Sequence, residues 1–183
     1  MKQLMTLFIL LSVCSSGFAA TSVSALQKDW AITNYELQGD EQVQSFEQLI
    51  ETAASAVAME PSNAELLIWK AIIESTYAGK ASSLTALRLV KAARADLEAA
   101  MDIDPMALDG SAYTSLGALY YQVPSWPLAF GSSKKARKLL EKAIEVNPDG
   151  IDSNYFYGAF LVEEKDYESA RQVLTKAMQA TAR

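Results

Sequence analysis

The chain has 183 residues, half of them hydrophobic, and carries 16 Lys and Arg against 22 Asp and Glu. Once a leader is removed, that length supports one domain with a real core; the acidity argues against a nucleic-acid phosphate binder and against binding to anionic membranes. There is no histidine, and the one cysteine, Cys14, lies in the leader, which excludes from the mature chain Ser-His-Asp and Cys-His catalysis, thiol redox chemistry, disulfides and ordinary zinc sites; few enzyme classes remain, among them paired-carboxylate glycoside cleavage and an oxygen-only metal site.

The first twenty residues, "MKQLMTLFILLSVCSSGFAA", read as a secretory signal. Lys2 gives the basic start, and Leu4 to Val13 is an apolar run too short to span a bilayer. Gly17-Phe18-Ala19 then offers small residues for cleavage after Ala19 or Ala20. The rival reading is a lipid anchor: "LSVC" partly resembles a lipoprotein signal with Cys14 lipidated, although Val13 is a poor residue before such a cysteine. Soluble export to the periplasm is preferred. Residues 21–183 are then one helical domain, with no second apolar segment long enough for a membrane anchor.

The mature chain is expected to be all-α, with about eight helices: 22–37, 41–59, 63–78, 84–102, 109–122, 133–146, 152–164 and 167–181. Asp40, Ser62 and Asp166 stand where side chains cap free N–H groups. "NPDG" at 147–150 is a turn sequence. No alternating strand pattern of useful length occurs.

Three segments are alike: "AVAMEPSNAELLIWKA", "LEAAMDIDPMALDGSAYTSLGALYY" and "LEKAIEVNPDGIDSNYFYGAFL". Each is a helical run, a polar residue, a proline and a new helical run. Pro61, Pro105 and Pro148 are 44 and 43 residues apart. In the last unit Tyr157-Gly158 and Leu161 mark the first helix, and Ala170, Leu174 and Ala177 the second. In the middle unit these places fall to Tyr113, Leu116, Gly117 and Tyr120, then to Ala136, Leu140 and Ala143. In the first full unit Ala71 takes the glycine place, followed by Ala93, Leu97 and Ala100. This pattern resembles the tetratricopeptide repeat, whose small residues let two antiparallel helices approach while large ones fill the gaps. Asn154 departs from it, standing where the family prefers Trp. The resemblance implies an α-solenoid of antiparallel helix pairs with insertions. Against a family period of about 34, seven extra residues lie between Tyr120 and Ala136, two between Pro105 and Gly117, and ten between Ala71 and Ala93.

The seven-residue insertion is "YYQVPSWPLAFGSS", 120–133. Pro124 and Pro127 disfavour helix at Val123 and Trp126, and Ser132 or Ser133 can cap the helix that follows. Trp126 either packs into its own repeat or walls one end of a binding groove. Three lookalikes are read as linker or turn. "GKASS" at 79–83 lacks the earlier glycine of a phosphate loop. "DIDPMALDG" at 102–110 has no acid at the twelfth calcium-loop position. "NPDGID" could gather Asn147, Asp149 and Asp152 around calcium, but a turn and cap explains it.

In the family, the first helix of each pair lines a concave groove. The resemblance places Ile68, Ile72, Thr114, Tyr121, Asp152, Tyr155 and Ala159 there, with Trp126 at the rim. That surface is apolar and aromatic, without the Lys/Asn clamp that grips a peptide carboxylate. It suits a protein or peptide segment or a small apolar or organic ligand. The expected function is a non-catalytic, exported protein-binding scaffold without cofactor or metal, and the chain is similar to a bacterial group of exported repeat proteins. The alternative is an accessory ligand-binding component of a periplasmic transport system, since the architecture is similar to the T component associated with TRAP-type transporters. A carboxylate-based glycan hydrolase is a third reading.

Overall fold

Asparagine, serine and aspartate side chains start several helices of this chain. Asn63 accepts from the N–H groups of Glu65 and Leu66, Ser22 from Ala25, Ser132 from Lys135 and Asp166 from Ser169. The computed structural model describes residues 21–180. Among them lie α1 Val23–Tyr35, α2 Gly39–Met59, α3 Ala64–Ala78, α4 Ser83–Ile103, α5 Ala107–Gln122, α6 Ser133–Val146, α7 Ile151–Glu163 and α8 Tyr167–Gln179. The expected leader, Cys14 and the last residue of the eighth expected helix lie outside the described residues. Two expected caps are displaced. Ser62 sits in the turn before α3 and leaves the cap to Asn63. Asp40 lies inside the first turn of α2 with Glu41, where a carboxylate still favours the helix dipole.

Each helix packs against its neighbour in sequence, most extensively α3 on α4, α5 on α6 and α7 on α8. The odd-numbered helices also touch one another, α1 to α3, α3 to α5 and α5 to α7, whereas among the described residues the even-numbered helices do not. The odd helices therefore form the inner layer and the even ones the outer. This is a tetratricopeptide-like all-α stack of helix pairs. One apolar core runs from Leu26 to Ala170.

The small residues sit where the helices come closest. Ala71, Ala136, Ala143 and Ala170 are buried, as are Gly117 and Gly158; Ala177, near the end of α8, is half-buried. A Cβ on Gly117 would come within 2.7 Å of Leu140 Cγ, and one on Gly158 within 2.5 Å of Leu174 Cγ. Tyr120, 3% exposed, is buried on the same helix as Gly117 and packs against Phe130.

The three sequence insertions are handled in three ways. The ten extra residues of the first unit lengthen helices: α4 has 21 residues against 14 in α6, or about 31 Å against 21 Å. The two extra residues after Pro105 are absorbed in a left-handed turn at Leu108, Asp109 and Gly110, with φ of 49°, 55° and 74°. The seven after Tyr120 become the loop 123–132. That loop closes on itself: Gly131 donates to Pro124 O at 2.9 Å and Ser132 to Tyr120 O at 2.7 Å. The Trp126–Pro127 peptide is cis. Phe130 folds back edge-on against Tyr120, and the Arg94 guanidinium lies over both rings.

Candidate functional site

The inner helices enclose a groove of about 490 Å³. Its aromatic end is built by α1 and α3. Trp30 meets Tyr35 and Trp69 edge-on, with ring centres 5.6 and 5.8 Å apart. The Trp30 indole donates to Thr76 Oγ1 at 3.1 Å, and that hydroxyl donates to Ile72 O at 2.7 Å. The Trp69 indole has no such outlet: its Nε1 is buried with no acceptor. The middle wall, from α3 and α5, presents Ser75, Ser111, Thr114 and Ser115 around Leu108, and α7 closes the far end with Asp152 and Phe156. The left-handed turn within the start of α5 is what carries Leu108 into that wall.

Three of the sequence-derived groove residues line this cavity: Ile72, Thr114 and Asp152. Ile68 does not, because it is 0% exposed and sits in the core. On α3 the open face lies one residue further round, at Trp69. Tyr121 leans on Phe160 at 5.8 Å, and its hydroxyl accepts from Gln122 Nε2; burial raises its pKa against the lowering effect of that bond. Ala159 is half-buried outside the cavity lining. Tyr155 is 53% exposed and packs edge-on against Phe156. Trp126 does neither thing expected of it: at 85% exposure it enters no core and lines no part of the groove. Trp30, Tyr35, Trp69 and Phe156 were not singled out from sequence. Trp69 beside Ile68 was the available signal on α3, whereas α1 carries too little of the repeat pattern to place its aromatics.

Two further features lie beyond the groove, the first sharing Ser75, Leu119 and Gln122 with it. Where the 123–131 loop covers the overhanging start of α4, an apolar cleft of about 570 Å³ opens. Between α3 and α4, Lys70 Nζ lies between the carboxylates of Glu74 and Asp96. Burial pushes the Glu74 carboxyl above its usual range, against the opposing effect of Lys70, and its Oε2 has no partner. Burial alone would lower the Lys70 pKa, but its bonds to Asp96 and Glu74 outweigh that and raise it. The pair holds a lysine instead of facing a cleft that a sugar could enter. The "NPDG" turn is tied from within by α7. Ser153 donates to Asn147 O and Gly150 O, and Asn154 to Pro148 O and Gly150 O. Asn154, the departure from the repeat pattern, thus serves the turn. Among the described residues no group of three acidic residues is placed to hold a metal, and no helix is long and apolar enough to cross a membrane.

No family profile matches the chain, and no curated protein matches it. Among solved structures, a crystal structure of MamA is similar over 74% of this chain and 88% of that one, at 18% identity and a TM-score of 0.38. A likeness so loose says nothing about what this chain binds.

Proposed function

We propose that the protein is an exported, non-catalytic single-domain scaffold whose inner groove holds a segment of a protein partner. The observation that carries this reading is the groove itself. Two tryptophans and a tyrosine at one end offer apolar area, the hydroxyl wall offers adaptable hydrogen bonding, and the Trp69 Nε1 is a buried donor in need of an acceptor. A peptide carbonyl would supply one only if the aromatic end opened as the segment bound. The test is a photo-crosslinking residue placed at Ser115 in the groove and, as control, at Glu51 on the outer helix α2. Adducts of discrete mass are expected at 115 and not at 51, and Trp69→Ala should abolish them. Equal adducts at both positions, or none at 115, would sink the reading. Fusion of the first twenty residues to a reporter tests export separately.

A second reading rests on volume. At about 490 Å³ the groove also falls in the range of small-molecule sites, as an accessory ligand-binding component of a periplasmic transport system requires. A thermal-shift screen of small organic ligands separates the two. A rise in Tm that Trp69→Ala removes favours the ligand carrier; its absence alongside the Ser115 adducts favours the scaffold.

A further inference from the structure

Charge is unevenly distributed over this acidic chain. Residues 75–95 and 110–140 hold eight of the 16 Lys and Arg and none of the 22 Asp and Glu. These two stretches meet in the fold at the adjoining ends of α3 and α5, the start of α4 and the 123–131 loop, with α6 following that loop. They meet at the 570 Å³ cleft. Its walls are apolar, built by Leu87, Val90 and Val123, and its rim carries Leu84 and Leu128 at 84% and 74% exposure. Trp126 stands out from the same loop. Lone exposed apolar side chains need no explanation, but several large ones around an apolar cleft mark a surface that another molecule covers. Cations flank it. Lys80 follows Gly79 in the wall, Lys91 lies beside Leu128 in the adjoining hollow, and Lys134 follows the loop. Among the described residues none of these three has an ion-pair partner. Arg94 is committed to Glu98 and to the Tyr120 and Phe130 rings.

The neighbouring connections are acidic. Glu36, Asp40 and Glu41 lie in or beside the link from α1 to α2, and Glu163, Glu164, Asp166 and Glu168, against Lys165, in or beside that from α7 to α8, Glu164 being paired with Arg137. The cationic zone is therefore local. A cationic zone bounded by acidic connections suits a polypeptide segment better than a flat anionic sheet.

We propose that this cleft docks a short amphipathic segment of a second protein, with large apolar residues on one face and carboxylates along its edges. The apolar face would fill the cleft beside Leu84, Trp126 and Leu128, and the carboxylates would meet Lys80, Lys91 and Lys134. The site adjoins the inner groove, sharing Ser75, Leu119 and Gln122 with it, but none of the groove's aromatic residues lines it.

Random-peptide display on the immobilised 21–183 chain tests this. Enriched peptides should combine at least two large apolar residues with neighbouring acids. Their binding should fall about tenfold or more with Leu128→Glu or Trp126→Ala, and several-fold between about 0.05 and 0.5 M salt. Trp69→Ala in the groove should leave it unchanged, which separates failure here from failure of the groove reading. Leu128 and Lys134 are exposed, so circular dichroism should show both substituted proteins folded; were Leu128→Glu to melt early, Lys134→Glu must still weaken the peptides. No enrichment, enrichment without acids, or undiminished binding to Leu128→Glu overturns the proposal. So does binding to phosphatidylglycerol vesicles in place of any peptide, which would assign the surface to lipid.

Discussion

A Cβ at Gly117 would stand 2.7 Å from Leu140 Cγ, so α5 and α6 meet where one of them has no side chain. Gly117→Ala must push Leu140 off its rotamer or the helices apart, at a cost of about 1–3 kcal/mol. The gain in helix propensity from Gly to Ala, about 1 kcal/mol, offsets only part of this. Urea unfolding should show a lower midpoint, and Leu140→Val in the same chain should restore part of it. A midpoint at or above that of the parent would show that the helices have room.

Gly110 is a separate case because backbone and contact both require glycine. Its φ is 74°, and a Cβ there would approach Val146 Cγ1 to 2.7 Å. Gly110→Ala is expected to cost about 1–3 kcal/mol. Val146→Ala on that background should relieve the contact and leave the left-handed strain. The double-mutant cycle therefore has a sign: a positive coupling smaller than the whole loss.

The loop aromatics should differ in their effect on stability. Phe130 packs on Tyr120 and under Arg94, so Phe130→Ala should lower Tm by several degrees. Trp126→Ala, at an 85% exposed position, should change stability by no more than about 0.5 kcal/mol. Equal losses at both would place Trp126 in the packing of the loop.

Glu74 makes stability depend on pH in a direction opposite to an ordinary paired carboxylate. Burial holds its folded pKa above the usual value, so the folded chain binds the extra proton first. Its contribution is fully present below the unfolded pKa and is lost as pH rises through the raised folded one. Denaturant midpoints between pH 4 and 7, parent minus Glu74→Gln, should fall as pH rises. A rise would mean that Lys70 dominates. Lys70, whose pKa is also raised, contributes below its unfolded value and loses that contribution only at strongly alkaline pH.

The pairing of helices was legible because it rests on residue size. A small residue opposite a leucine, as at Gly117 and Leu140, is a packing instruction that a repeat of prolines and alanines makes visible. The groove was half legible. Counting found Thr114 on α5 and Ile72 on α3, but it also chose Ile68 in place of Trp69, because a rotation of about 100° separates core from cavity. Trp30 and Tyr35 were out of reach for a different reason: α1 joins the inner wall by contact with α3, and its sequence carries no matching small residues. The left-handed turn at 108–110 had Gly110 as its only local sign. The sequence pointed to Ser62 as the cap of α3, and the geometry puts it one residue on, at Asn63. The charge of the α4–α6 rim was in the sequence throughout, hidden by a total that averages it away.

The loop after α5 has its two ends tied together, through Gly131 to Pro124 and Ser132 to Tyr120, before the chain enters α6. Added length at its tip therefore need not reach the helix stack. The longer first insertion has no such freedom, because it was spent on α4 itself. A foreign peptide or fluorescent domain spliced between Ser125 and Trp126 should leave the solenoid folded, and the same splice in α4 should not. The molecule thus offers one permissive port for engineering, at the place where its surface is most distinctive.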